Sequence, residues 1–310
     1  MTEFFQTVVT GLMAGSLYSV VGLSLVLVYV STRMINFAQG EIGTLSAFVA
    51  WSLMLSVPYA LGFPLAMGLA FVIGAFMLRF VMWPLLAGAG FMGQGPMGVV
   101  VASIGLLLVM TAVSNSIYGP EPHAFEEPFK GGPLSIGDVT VGRHNVYLFV
   151  LSGGAMVFIW ALFRFTKVGL AMRATADNRI AAELMGVPTP RMLTLGWGLA
   201  GAMSGIAAML VAPIVTLTPG MMLGTLMFGF ASAVLGGFNS PQGAVVGGLA
   251  VGVMQNLTGV YLADWVSYLH LPFDIADPGQ YRDIVAMSVI VLVMVIRPTG
   301  LFGKPEVARV

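Results

Sequence analysis

The sequence contains no cysteine, only three histidines, and charge on only 8% of its residues. Each shortage removes a class of chemistry. Without a thiol there is no disulfide, no thiolate nucleophile and no cysteine-ligated metal. The histidines, His123, His144 and His270, fall outside the long apolar runs, and their spacing matches no metal-ligand pattern. They read as surface histidines. Thirteen Lys and Arg residues against thirteen Asp and Glu leave no net charge and no basic patch for a nucleic acid. No GxxxxGK[ST] phosphate loop is present. The nearest stretch, Gly300-Leu301-Phe302-Gly303-Lys304-Pro305, has the wrong spacing and a proline where the loop needs a hydroxyl. Paired acids, a serine with a base, or zinc ligands within one apolar run are also missing, which sets a membrane-embedded hydrolase aside.

What fills the chain is apolar. A 310-residue sequence that is 58% hydrophobic cannot surround one soluble core with a polar surface, so the expectation is an all-α polytopic membrane protein forming one domain over residues 1–310. The 40 glycines and 22 methionines suit close-packed membrane helices. Crossing about 30 Å of hydrocarbon takes about 20 helical residues. Nine runs approach that length: Val8 to Val30, Met34 to Leu55, Leu61 to Trp83, Met97 to Ile117, Val146 to Phe165, Met192 to Val211, Met221 to Gly236, Gly243 to Leu262 and Ile284 to Ile296. They are continuous rather than alternating, which favours helices over a barrel. The first is too long for a signal-peptide core, and only Glu3 precedes it where positive charge is expected.

With nine crossings, eight to ten at the limits, the charges sort by side. Placing the N-terminus outside puts Arg33, Arg79, Arg164, Lys167, Arg173, Arg179, Arg191, Arg297, Lys304 and Arg309 inside, together with the C-terminus. That is the expected cytoplasmic bias. Lys130, Arg143 and Arg282 fall outside, with most of the acids. Two outer loops, 119–145 and 263–283, are longer than connectors. The first holds LSIGDVTV, which alternates as a small hairpin does.

The longest inner loop, residues 166–191, predicts a helix of its own. Thr175 or Asp177 can cap its start, Ala181, Ala182 and Leu184 favour the helical state, and Gly186 followed by Pro188 and Pro190 ends it. Ile180, Leu184 and Met185 recur at helical spacing, with Arg173, Asp177, Arg179 and Glu183 supplying charge. Such a helix lies on lipid headgroups or presses into a groove on a soluble partner.

The stretch INFAQGEIGTLSAFVAW, residues 35–51, sets Asn36, Gln39 and Glu41 at the start of the second run. Three roles for Glu41 compete: an anchor bracing this run, with Arg33 or an Arg of the inner loop as counter-ion; a gate or path-lining group; and proton coupling. Anchoring is the reading the pattern favours most. Ser103, Thr111, Gln255 and Asn256 also lie within runs, where such side chains more often bond helix to helix than line a path. The seventh run is short and the second is interrupted by Gly40 and Gly43, with Gly43-Thr44-Leu45 echoed by Gly224-Thr225-Leu226. Paired short segments of this kind suggest an inverted repeat whose equivalent positions line a passage, Thr44 and Thr225 among them.

Four motifs in order resemble the permeases of branched-chain amino-acid ABC importers, the LivH-like family. They are Asn36-Phe37-Ala38 with Gly40-Glu41; Thr166, Gly169, Arg173-Ala174, Ala176, Asn178, Ala181-Ala182, Leu184 and Gly186; Leu235-Gly236-Gly237 with Pro241 and Gly243-Ala244; and Arg297-Pro298-Thr299-Gly300-Leu301-Phe302-Gly303. Gln39 stands where the family commonly has histidine. The resemblance implies a type II-like ABC importer permease fold in a bacterial inner membrane. It also implies a second permease subunit, two ATPase subunits that hold ATP and Mg, and a periplasmic binding protein that docks on loops 119–145 and 263–283. No cofactor is expected on this chain. Residues 166–191 become the coupling loop, with Arg173, Thr175, Asp177, Asn178, Arg179, Glu183 and Gly186 facing the ATPase. Relatives of this architecture carry branched-chain amino acids, urea, short amides or other small organic acids. A solitary secondary transporter, which would use Glu41 for ion coupling, is the main rival.

Overall fold

The computed structural model describes residues 2–84, 96–128, 131–136, 139–268 and 282–303. His270 and most of the 263–283 loop lie outside them. The described residues form eleven α-helices: α1 (Thr2–Thr32), α2 (Gln39–Met54), α3 (Tyr59–Phe76), α4 (Pro96–Tyr118), α5 (Arg143–Phe165), α6 (Lys167–Asp177), α7 (Arg179–Leu184), α8 (Thr189–Val215), α9 (Met222–Gly236), α10 (Pro241–Tyr268) and α11 (Arg282–Ile296). A π-helical turn, Met77–Met82, extends α3. The alternating piece of the 119–145 loop is a hairpin, Leu134–Ile136 paired antiparallel with Val139–Val141.

Each of the nine apolar runs contains a helix, although α2 starts only at Gln39, five residues into the second run. Six helices are long and apolar enough to cross a membrane: Thr2–Thr32, Tyr59–Met82, Val100–Tyr118, Arg143–Phe165, Thr189–Val215 and Pro241–Tyr261. Among the described residues, six of the nine expected crossings meet this measure. The three that fall short are α2, with 16 residues, and α9 and α11, with 15 each. At about 1.5 Å per residue these reach only about 22–24 Å. The chain is thus an all-helical polytopic membrane protein with a minor hairpin.

The fold divides into two compact units, one of Leu23–Glu126 with Gly154–Leu223, the other of Met1–Gly22, Glu127–Gly153 and Gly224–Val310. In the first, small residues let helices touch backbone to backbone. Ala66, Ala70 and Gly74 recur every fourth residue along α3 and are buried. A Cβ on Gly74 would lie 2.4 Å from the Trp197 carbonyl oxygen, and one on Gly201 would lie 2.2 Å from that of Ala70. The same spacing brings α2 onto α8, where a Cβ on Gly43 would stand 2.4 Å from the Ser204 carbonyl oxygen. Lipid offers no hydrophobic drive for helices to associate, so close packing of this kind supplies the attraction.

The second unit uses the same device between α1 and α10, where Gly15 and Gly252 meet and a Cβ on Gly252 would sit 2.3 Å from the Gly15 Cα. Hydrogen bonds reinforce it. Tyr18 donates to Gln255 Oε1 at 2.7 Å and Asn256 donates to Thr10 Oγ1 at 3.0 Å. Tyr18 also stacks on Phe228, with ring centroids 4.6 Å apart. The last segment of this unit closes α9: the amides of Leu301 and Phe302 donate to the carbonyls of Leu235 and Gly236 at 2.8 and 3.0 Å. They satisfy groups that a helix C-terminus otherwise leaves open. Gly237 at φ 104° and Gly300 at φ 76° let the two backbones meet.

Candidate functional site

The first candidate lies where α1 ends and α2 begins. The chain leaves α1 through Arg33 at φ 57°, and Asn36 then organises the entry to α2. Its Oδ1 accepts from the Ala38 amide at 3.1 Å and its Nδ2 donates to Gln39 Oε1 at 3.1 Å. Gln39 Nε2 donates to the Ala200 carbonyl at 2.8 Å, and its own carbonyl accepts from the Ser204 hydroxyl. Gln39 therefore joins α2 to α8, Asn36 braces Gln39 and the entry to α2, and both are buried. Phe37 is fixed in turn, its amide donating to Ser103 Oγ at 3.3 Å.

Glu41 is different. It is 1% exposed, and both of its carboxylate oxygens are buried with no hydrogen-bond partner among the described residues. The Thr111 side chain on α4 and the Gly220 backbone are its polar neighbours, yet neither closes a hydrogen bond. A glutamate at this third helical position ordinarily reaches back to the amide of the capping residue. Here the capping residue is Ala38, and Asn36 already occupies that amide. The expected counter-ion, Arg33, stands instead over the Tyr29 ring, 5.9 Å from its centroid. Thr44, also buried, donates to the Gly40 carbonyl within α2. Thr225 belongs to the other compact unit and is half-buried on α9. Ser114, which the sequence did not single out, is fully buried on α4 with an unpartnered hydroxyl.

The second candidate is the 166–191 loop, which corrects the expected helix in two ways. It holds two short helices rather than one, and neither expected cap starts them. Thr166 caps α6, its hydroxyl accepting from the Gly169 amide at 3.0 Å, and Asn178 caps α7, accepting from the Ala181 amide at 3.0 Å. Thr175 is buried inside α6 and donates to the Ala171 carbonyl, and Asp177 is the last residue of that helix. The reason is the extended backbone at Asn178, φ −152° and ψ 102°, which breaks the run just after Asp177. Gly169 lets α6 fold tightly against the end of α5, since a Cβ there would lie 2.2 Å from the Leu162 carbonyl oxygen.

Gly186 does end α7, at φ 82°. The Val187 amide donates to the Ala182 carbonyl and the Gly186 amide to that of Glu183, the paired closure of a glycine-terminated helix. Glu183 Oε1 accepts from the Thr189 hydroxyl and from Arg179 Nε, the latter at 3.3 Å. The Thr189 hydroxyl, then Arg179, hold the Glu183 carboxyl below the usual carboxylate range. The Arg179 guanidinium also lies over the Trp83 ring at 5.1 Å. Thr189 and Trp83 are partners that loop composition alone did not indicate. Around this brace Ile180, Leu184 and Met185 are 73%, 84% and 84% exposed. Arg173, which the sequence placed on the same surface, is exposed on α6.

The remaining polar candidates join helices. Gln255 and Asn256 bond to α1, and Ser103 to the loop before α2. His123 is tied to the chain by its Nε2 contact with the Tyr118 carbonyl at 2.9 Å, whereas His144, expected at the surface, is buried at the start of α5. Among the described residues no group of three or more His, Cys, Asp or Glu could hold a metal.

Comparison with known proteins fits this arrangement. The family described as the branched-chain amino acid transport system permease component matches residues 7–294. The high-affinity branched-chain amino acid transport system permease protein LivH of Salmonella typhimurium is 26% identical over 340 aligned positions, covering 99% of this chain and 98% of the relative. LivH of Escherichia coli K12 is 25% identical over 324 positions, and BraD of Pseudomonas aeruginosa 28% over 323, each with the same coverage.

Proposed function

The chain belongs to the permease-component family of branched-chain amino acid transport systems, and from that premise we propose that it is the membrane-spanning subunit of an ATP-driven importer for branched-chain or related small amino acids. A second permease subunit, two ATPase subunits and an external binding protein complete the machine, and the membrane is a bacterial inner membrane. The observation that carries the reading is the 166–191 loop. Its short helix α7 is capped at both ends and braced through Glu183 to Arg179 and Thr189, yet it exposes three large apolar side chains. A rigid element with an apolar face can transmit a push that a loose loop would absorb.

Nine crossings, with α2, α9 and α11 completing passage as short helices, put the N-terminus outside and this loop inside, as the distribution of Lys and Arg favours. The same count supports an inverted relation between α2 and α9, two short helices in separate compact units, and keeps Thr44 and Thr225 as path-lining candidates. The 119–145 and 263–283 loops then face the binding protein, their acids steering basic patches on it.

The sequence offers a clean test because it has no cysteine of its own. Ile180→Cys is expected to react with a membrane-impermeant maleimide in inside-out vesicles and not in right-side-out ones. The opposite pattern refutes the loop assignment. Function is then read from the reconstituted importer: Leu184→Asp with Met185→Asp leaves the chain inserted but separates ATP hydrolysis from uptake. Wild-type coupling in that variant counts against the reading.

A further inference from the structure

Glu41 is a buried carboxylate with no hydrogen-bond partner among the described residues, although the polar groups at the start of α2 are satisfied. Asn36, Gln39 and Ser204 are all paired, and the arrangement that frees Glu41 is built in, because Asn36 takes the one amide the glutamate would ordinarily use. A buried carboxylate left alone is costly, and the cost is relieved by a proton or by a cation that brings hydrogen-bond donors. No such group approaches it among the described residues.

The neighbouring face of α4 fits a ligand rather than a counter-ion from the protein. Phe48 of α2 stacks on Tyr118 of α4, ring centroids 4.6 Å apart, at one end of the seam, and Glu41 faces Thr111 toward the other. Ser114 lies between them on α4, three residues after Thr111 and four before Tyr118, which is one helix face. Its hydroxyl is buried and unpartnered. The Thr111 hydroxyl donates to the Leu107 carbonyl at 2.9 Å and keeps its lone pairs. One carboxylate with two hydroxyls offers three acceptors around a single charge. That matches the three donors of a primary ammonium, whereas a divalent cation calls for six or more oxygens and usually more charge.

We propose that Glu41, with the hydroxyls of Thr111 and Ser114, is a recognition site for the primary ammonium group of the transported solute. This rests on the permease reading, and it makes Glu41 a specificity-determining residue rather than an anchor. The site is closed in the state described, so the solute reaches it when the seam between α2 and α4 opens.

The test uses the purified importer in nanodiscs without its binding protein, and three labelled probes: L-leucine, 3-methylbutylamine, which keeps the ammonium alone, and 4-methylpentanoate, which lacks it. Wild type is expected to bind leucine and the amine at least tenfold more tightly than the carboxylate. Glu41→Gln weakens leucine and the amine at least tenfold and leaves 4-methylpentanoate within twofold. Glu41→Asp, which keeps the charge, falls between them. The melting temperature of Glu41→Gln stays equal to or above wild type, because an uncompensated charge has been removed. The proposal is overturned if Glu41→Gln binds leucine and the amine as wild type does, if wild type binds none of the probes or prefers the carboxylate, or if Glu41→Gln lowers the melting temperature as loss of an anchor would. ATP-driven leucine uptake separates the two levels. Uptake intact in wild type with binding insensitive to Glu41→Gln removes the ammonium site alone, and uptake absent from the complete wild-type importer removes the permease reading.

Discussion

Gly43→Ala tests whether the α2–α8 contact positions the polar entrance. A Cβ on Gly43 would lie 2.4 Å from the Ser204 carbonyl oxygen, 2.9 Å from its carbon and 3.0 Å from the Ala208 Cβ, where ordinary contact begins at 3.4 Å. The first of these is helix backbone and cannot swing aside, so α2 and α8 must part by about 1 Å. Overpacking of this kind costs about 1–3 kcal/mol. The same shift stretches the bonds from Gln39 Nε2 to Ala200 and from the Ser204 hydroxyl to Gln39, each worth about 0.6 kcal/mol between membrane helices. The expected loss is therefore about 2–4 kcal/mol, read as a lowered melting temperature of the full chain in detergent. Gly68→Ala and Gly105→Ala are the controls. An added Cβ at either position meets nothing within 4 Å, and alanine is the better helix former by about 1 kcal/mol. These two should hold or raise the melting temperature. If Gly43→Ala melts with the controls, backbone contact does not set the spacing of this site, and the account of how Gln39 is held fails.

Three further outcomes follow from the braces elsewhere. Because the Glu183 carboxyl is held below the usual range by Thr189 and Arg179, its contribution is complete at neutral pH and disappears as pH falls through its lowered value. Amide exchange at Gly186 and Val187, corrected for intrinsic rate, should therefore accelerate below the carboxylate range in wild type, with no extra acceleration in Glu183→Gln. Gly186→Ala, at φ 82° with open space around the missing Cβ, should cost about 1 kcal/mol locally through backbone strain alone and loosen the same amides without altering expression. Gly300→Ala meets the Gly237 backbone at 2.5 Å in addition to its φ of 76°. It should release the Leu301 and Phe302 amides from α9 and expose residues 297–303 to protease, while a replacement at Gly119, at φ 80° with nothing within 4 Å, leaves that segment protected.

How far the sequence could be read depended on whether a feature is local. The apolar runs gave helices because hydrophobic length is a property of the run itself, and Gly186 with its two following prolines marked the end of α7 for the same reason. The caps were misplaced because Thr175, Asp177 and Asn178 are all competent capping residues within four positions. Only the extended backbone at Asn178 decides among them. Apolar runs do not fix helix length: α2, α9 and α11 stay apolar but are only 15 or 16 residues long. Glu41 shows the sharper limit. Its charge and place near a helix start were visible, and both suggested an anchor with Arg33 as partner. Two side-chain choices a few residues away reverse that: Arg33 turns toward Tyr29, and Asn36 fills the amide that would have tied Glu41 down. A side chain reads as anchored when its neighbours supply partners. Here the pairings made by Asn36, Gln39 and Arg33 leave one carboxylate open, and that opening is visible only in the folded chain.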